Sequence, residues 1–237
     1  LRRLDFRGHG ASDRAPGEYT TANCVNDAVA ASEQVAGQPC IVIGHSLGGA
    51  TAAALTQRHA DRVVAAVVED PPLAAAGNTP ARTDHALLAG FTLRRASIPQ
   101  MQAGGMTRDV LAGVRAAAPG TAGSTFGATL HADGISAMAG SMLAVDAAVL
   151  DPVLDGTIGT FLDPDVPFAA PSLIVCADPT VPGAVADPDL ARHFAEISPA
   201  VEVLVVDGAG HLIHDELGVR DRFRNAVIDF IDRTVTT

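Results

Sequence analysis

Residues 41–50 read Ile41-Val42-Ile43-Gly44-His45-Ser46-Leu47-Gly48-Gly49-Ala50. A β-branched apolar run enters Gly-x-Ser-x-Gly, and a stretch of small residues leaves it, so the segment reads as strand, sharp turn, helix. Such a turn holds its serine in a strained backbone conformation. Side chains two positions before and after the serine would collide, which predicts a steric need for glycine at 44 and 48. The turn raises the hydroxyl above the sheet and aims the Leu47 amide N–H at a developing negative oxygen. Ser46 is thus a candidate nucleophile and Leu47 a candidate oxyanion donor. Five residues alone could be an incidental glycine turn; the flanking strand and helix give the motif its meaning.

A serine hydroxyl needs a base that is neutral near pH 7, and imidazole is the usual choice. Downstream, Val205-Val206-Asp207-Gly208-Ala209-Gly210-His211 is a strand running into a glycine turn that ends in histidine. His211 therefore stands at the C-terminal end of its strand, where open α/β sheets gather their sites. His214 completes His-x-x-His, but no third ligand of suitable context accompanies the pair, so no metal is expected.

Short apolar runs alternate with helical stretches along the chain, which predicts a mostly parallel sheet with crossover helices. The expected strands are 1–5, 40–43, 63–68, 172–176 and 201–206, and the expected helices 21–36, 47–59, 188–196 and 216–232. Roughly 100 residues between the strands ending at Val68 and starting at Ser172 have a different character, rich in Ala, Gly, Pro and Met. A structureless loop of that length is improbable in a compact domain. Helical pieces at 83–95, 107–118 and 135–149 suggest an inserted cap over 73–168, with 1–72 and 169–237 forming the core. Met101, Met106, Met138 and Met142 fall in this insertion and read as its packing residues, with an acyl-pocket lining as the alternative. Tyr19-Thr20-Thr21 reads as a helix start.

The net charge of −11 argues against a nucleic-acid partner, which requires clustered positive charge. No apolar run approaches the roughly 20 residues needed to cross a bilayer, and no N-terminal signal pattern is present, so the expected location is cytoplasmic. All 16 basic residues are arginine, which excludes Schiff-base chemistry and a P-loop lysine. Cys24, Cys40 and Cys176 suggest neither a disulfide framework nor a zinc site; Cys40 and Cys176 read as small buried hydrophobes.

Taken together, these segments resemble the α/β-hydrolase superfamily in its lidded ester- and lactone-cleaving branches. Asp5-Phe6-Arg7-Gly8-His9-Gly10-Ala11-Ser12 is similar to that family's D-x-R-G-x-G-x-S loop. In it Arg7 or His9 could contact substrate, although a turn held by glycines and an arginine–carboxylate pair is the favoured reading. The resemblance implies a triad in chain order serine, acid, histidine. Its acid usually follows the strand before the histidine strand, which points to Asp178 in Ala177-Asp178-Pro179-Thr180. The chain departs there from the family's glycine–acid pattern, and a shifted gap would put Thr180 in the catalytic column. Some relatives place the acid after the strand that follows the nucleophile, where this chain has Glu69 and Asp70. Asp187 is a further alternative.

The implied activity is hydrolysis of a carboxylic ester or lactone of a small to medium apolar substrate through an acyl-enzyme, without cofactor or metal. Cleavage of a carbon–carbon bond in a diketone-like substrate, and non-catalytic ligand binding on the same fold, remain the alternatives. A serine at the turn disfavours the chemistries of this superfamily that depend on a carboxylate nucleophile. The partner is a small molecule, and oligomeric state is unread. In relatives the strand entering D-x-R-G is the fourth of eight, and the loop after the third supplies a second oxyanion N–H. Leu1 enters mid-strand without an initiator methionine, so the expectation is a truncated frame, poorly soluble and weakly active as residues 1–237 alone.

Overall fold

Apolar, β-branched runs without alternation should lie in strands covered on both faces. The computed structural model, which describes residues 2–73, 85–120, 123–158 and 162–235, has four of them: β1 (Cys40–His45), β2 (Val63–Glu69), β3 (Ser172–Ala177) and β4 (Val201–Val206). All pair in parallel in the order β1-β2-β3-β4. Register sets His45 beside Glu69, Glu69 beside Val175, and Ala177 beside Val206. The four C-terminal ends therefore finish at one edge of the sheet, and the loops leaving them emerge side by side.

Nine α-helices are described: α1 (Thr21–Ala31), α2 (Leu47–Arg58), α3 (His85–Ala103), α4 (Arg108–Ala117), α5 (Phe126–Thr129), α6 (Ala132–Ala144), α7 (Asp151–Leu154), α8 (Pro188–Ile197) and α9 (Arg220–Val235). Helices α1, α2 and α8 cover the sheet face that presents Ala66, Val68, Ile174 and Cys176. Helix α9 covers the opposite face, where Phe223, Val227 and Phe230 meet Ala65, Val67, Leu173 and Val175. Adjacent residues serve opposite faces, as the period of two requires. Ala50, Ala52, Ala53 and Ala54 are all buried in α2, so small side chains let this helix lie close on the sheet. Phe194 of α8 is fully buried against Phe168, and truncating it to alanine should cost about 3–5 kcal/mol.

Helix boundaries follow local chemistry. Thr20 caps α1 by accepting from the Asn23 amide, and after α1 the chain continues as a π-turn over Ser32–Ala36 until Gly37 stops it at φ 65°. Asp187 caps α8 by accepting from Asp189, with Pro188 in the first turn. Helix α9 starts later than the expected 216 because the Glu216 carboxylate instead accepts the Gly210 amide.

The segment between β2 and β3 is helical, with α4 packed on α6 and α3 on α6 and α7. Its own small core joins Ile98, Val145 and Ala147 to Met101 and Met142, so these two methionines are packing residues. Helix α3 runs through Pro99 and past the expected end at Arg95; the start expected at Thr83 lies outside the described residues. Helix α6 ends before the expected 149 because Asp146 caps the following turn through Ala148 and accepts the Tyr19 hydroxyl at 2.6 Å. That buried tyrosine ties the loop before α1 to the helical segment.

One expected strand is not formed. Residues 2–5 are exposed and have no paired neighbour, without which an extended segment is not a strand. Asp5 is spent locally: its carboxylate accepts the Ala11 amide and its carbonyl accepts the Ser12 hydroxyl. Leu1 is outside the described residues. No single described helix is long and apolar enough to cross a membrane.

Candidate functional site

The turn after β1 has the strained geometry that the glycine pattern predicts. Ser46 sits at φ 53° and ψ −118° at the N-cap position of α2, yet its hydroxyl does not cap the helix. Its amide donates to the Glu69 carbonyl at 2.9 Å, locking the turn to the end of β2. A Cβ on Gly44 would lie 2.1 Å from the Gly48 carbonyl oxygen, so only glycine fits there. The expected need at Gly48 is not met, because a Cβ there would touch nothing. The second tight position is Gly49, whose Cβ would lie 3.0 Å from the Gly44 oxygen and 3.1 Å from the Glu69 oxygen. Leu47 is the first residue of α2, where an N–H has no intrahelical acceptor and points out of the helix start.

His211, in the loop leaving β4, is held from two sides. Its Nδ1 lies 2.7 Å from Asp70 Oδ2, and its carbonyl accepts from His45 Nε2 at 2.8 Å. Asp70 immediately follows β2 at φ 39°, the only non-glycine residue besides Ser46 with positive φ among those described. Its side chain is wholly buried. Oδ1 accepts the amides of Ala177 and Ala186, each at 3.0 Å, and Oδ2 accepts that of Val185 at 3.0 Å. Burial alone would raise the Asp70 pKa, but the imidazole and these amides outweigh it and hold the carboxyl below its ordinary range. An ionised carboxylate only accepts, so His211 carries its proton on Nδ1 and leaves Nε2 as the basic atom.

The expectation that Asp178 orients His211 is therefore corrected: the carboxylate on the imidazole is Asp70. Asp178 closes its own turn, its Oδ1 accepting from the Thr180 amide and hydroxyl and its Oδ2 from the Gly208 amide. Asp187 caps α8 and has no contact with the imidazole. The signal was present in Asp178-Pro179-Thr180, because aspartate two residues before a hydroxyl residue commonly bonds its own turn. No comparable local pattern marks Asp70, whose donors come from about 110–140 positions away.

Glu69, the other alternative, points to a second histidine. Its Oε1 accepts from the backbone amide of His214 at 2.9 Å and lies 2.8 Å from Nδ1 of the same residue. The His45 ring lies between the two pairs, 4.4 Å from the His211 ring and 4.9 Å from that of His214. Burial, then the neighbouring His211, push the His45 pKa down to about 4, so it is neutral near pH 7. Burial lowers and Glu69 raises the His214 pKa, and Glu69 prevails.

His45, Glu69 and His214 offer ligand atoms within 4.8 Å of one another, the one cluster among the described residues that could hold a metal. Hydrogen bonds within the cluster and to the His211 carbonyl already account for its arrangement. Arg7 does not reach this site: it pairs with Asp27 at 2.6 Å and Glu18 at 2.9 Å, while His9 Nδ1 lies 3.1 Å from the Arg7 carbonyl oxygen. The loop is thus a structural turn, and a Cβ at Gly8 or Gly10 would strike Tyr19 or Asp5. All three cysteines are free thiols. Burial pushes the Cys24 and Cys176 thiols up to about 11 and about 12, whereas Cys40 is only partly buried, contrary to expectation.

Residues 2–223 match the model of the alpha/beta hydrolase family. No curated protein matches the chain significantly. Among solved structures, the enol-lactonase from Burkholderia xenovorans LB400 is similar at 21% identity and a TM-score of 0.65, covering 96% of this chain and 79% of that one. A thermophilic esterase from Thermogutta terrifontis is similar at 19% identity and a TM-score of 0.63, covering 97% and 78%. E-2-(acetamidomethylene)succinate hydrolase gives 20% identity and a TM-score of 0.63, covering 96% and 80%. With a family match across nearly its whole length and these neighbours in fold, the chain belongs to the alpha/beta hydrolase family.

Proposed function

We propose that this chain is a serine hydrolase that cleaves a carboxylic ester or lactone of a small to medium apolar substrate through an acyl-enzyme. The observation that carries the proposal is the His211–Asp70 pair at the same edge of the sheet as a strained, uncapped Ser46. With Nδ1–H committed to Asp70, His211 Nε2 takes the Ser46 proton as the oxygen attacks the substrate carbonyl. The Leu47 N–H supports the oxyanion. His211 then returns the proton to the leaving alkoxide, and a water deprotonated by the same nitrogen releases the acid. Asp70 fixes the tautomer and stabilises the imidazolium. In this reading helices α3–α7 are a cap that shapes the acyl pocket, supported by their docking on the loop after His211. His131 donates to the Asp215 carbonyl, and Leu217 donates to that of Thr129, both at 2.8 Å.

Steady-state hydrolysis of aryl esters tests the assignment. Ser46→Ala should lower kcat by on the order of 10⁶ while leaving the unfolding transition in place. Near-normal turnover by the purified variant would remove Ser46 from the mechanism.

A further inference from the structure

Ser46 and His211 start from opposite sides of the described sheet. In the order β1-β2-β3-β4, two strands separate β1 from β4, a span of roughly 14 Å at the usual strand spacing. No ladder hydrogen bond relates these two strands, so the placement of the serine relative to the histidine depends on loops that fold back over the strand ends. Asp70 supplies one such contact, through the His211 ring. A ring contact fixes how the imidazole is turned; it does not by itself fix the backbone that carries it.

The second contact comes from β1 itself. His45 is its last residue, directly before Ser46, and its Nε2 lies 2.8 Å from the His211 carbonyl oxygen. A carbonyl only accepts, so His45 carries its proton on Nε2. Among the described residues this is the one direct hydrogen bond between the serine turn at 44–49 and the loop at 207–212. The period of two along a strand puts His45 on the face of Ile41, and Ile41 packs in the same cluster as Ala209 and Ile213, which flank His211. The His45 ring centre lies 4.4 Å from that of His211. An apolar side chain could fill this place by volume, as Ile41 does four positions earlier, but would leave the carbonyl without its donor. Burial and then the neighbouring His211 push the His45 pKa down to about 4, so a neutral ring makes the bond near pH 7 and adds no charge beside the base. The near end of the link is fixed as well: the Ser46 amide donates to the carbonyl of Glu69, the register partner of His45.

We propose that His45 is a positioning residue, which sets the reach between Ser46 and His211 by holding the His211 backbone while Asp70 holds its ring. The hold on the loop rests on geometry alone; its consequence for turnover rests on the serine hydrolase reading. Attack by a serine needs its base within hydrogen-bond reach, and a displacement of about 1 Å lowers the rate by on the order of 10².

The test compares wild type with His45→Phe, His45→Gln and His45→Asn, by aryl-ester kinetics and by hydrogen–deuterium exchange over residues 207–212, both corrected for folded fraction. Phenylalanine keeps the ring and removes the donor. Glutamine loses the ring but carries an amide N–H at the reach of Nε2, whereas that of asparagine falls short. His45→Phe and His45→Asn should lower kcat ~10²-fold with KM within about threefold of wild type, and should speed exchange in the loop ~10-fold. His45→Gln should return kcat to within about fivefold of wild type and restore slow exchange. Phenylalanine as good as wild type, or glutamine as poor as phenylalanine, would make the ring a packing element and overturn the proposal. If His45→Phe does not fold, the contrast between glutamine and asparagine decides alone, and equal rates overturn it. Faster loop exchange that glutamine restores, with no ester turnover even in wild type, would sink the hydrolase reading and support the hold on the loop. Turnover that persists unchanged in all three variants would overturn the proposal and leave the hydrolase reading intact.

Discussion

Two imidazole–carboxylate pairs stand side by side at the end of the sheet, built from consecutive acids at the end of β2 and histidines three residues apart. They are not equivalent. Asp70 is completely enclosed and gathers N–H groups from Ala177, Val185, Ala186 and His211, so one carboxylate joins the ends of β2, β3 and β4. Glu69 is nearly as buried, but among the described residues its carboxylate accepts from His214 alone. Exposure separates the histidines too: the His211 side chain is 24% exposed and that of His214 38%. A rigidly supported acid can dictate one imidazole tautomer. An acid bonded to a single residue pins that residue's loop and little else.

The contrast is broken most sharply by removing each acid's charge. In Asp70→Asn the amide oxygen still suits Ala177 and Ala186, which leaves the NH2 group facing His211 Nδ1. The imidazole must then accept at Nδ1 and carry its proton on Nε2, where it cannot serve as a base. Turnover should fall by roughly 10⁴ in kcat. Glu69→Gln disturbs only the His214 attachment and should cost less than about tenfold in kcat, with about 1–3 kcal/mol of stability from the poorer buried hydrogen bonds. Kinetics on both variants, corrected for folded fraction, decide the matter. A larger kcat loss for Glu69→Gln would reverse the roles of the two pairs.

How this arrangement was encoded explains what could be read in advance. The strand at 201–206 and the helix start at Thr21 were legible because β-branched runs and a capping threonine are local signals. The placements of Ser46 and His211 were legible for the same reason: each sits in a glycine turn directly after a strand. The carboxylate that meets His211 was not singled out. Asp70 is selected by loops that close over it from distant sequence, whereas Asp178 looked eligible from strand order while its own turn had already engaged it. The helical character of the segment between β2 and β3 was legible from its length and composition, but which side chains meet there depends on helix packing that periodicity does not encode.

A gentler way to separate the pairs is pH, since they should fail at opposite ends of the scale. The folded-state pKa of Asp70 is depressed, so its contribution is present above the unfolded value near ~3.9 and is lost as pH falls through the folded one. The folded-state pKa of His214 is raised. Its contribution is complete below the unfolded value near ~6.5 and is lost as pH rises through the folded one. Melting temperatures of wild type and His214→Asn should therefore differ more at about pH 5.5 than at about pH 9. Partial exposure of His214 keeps this difference small. A gap that widens with rising pH would mean that His214 is bound in its neutral form, and that Glu69 does not hold its proton.

The smallest effect is expected where the sequence pointed most directly. Asp178 lies at the end of β3, the position from which relatives commonly supply the acid, so Asp178→Asn isolates position from contact. Its carboxyl is held below the ordinary range by the Thr180 hydroxyl first, then by the Gly208 and Thr180 amides, all in exposed turns. An asparagine oxygen can keep both Thr180 bonds, and only the Gly208 amide loses its acceptor. Gly208 lies three residues before His211, so losing this bond slackens that turn. His211, however, is anchored independently, through its ring to Asp70 and through its carbonyl to His45. Turnover by Asp178→Asn should accordingly match wild type in both kcat and KM, and the pH–rate profile should not move. The decisive measurement is that profile for Asp178→Asn beside Asp70→Asn. If Asp178→Asn loses rate on the scale predicted for Asp70→Asn, strand-end position outweighs the contact at His211 Nδ1, and the β3 acid returns to the triad.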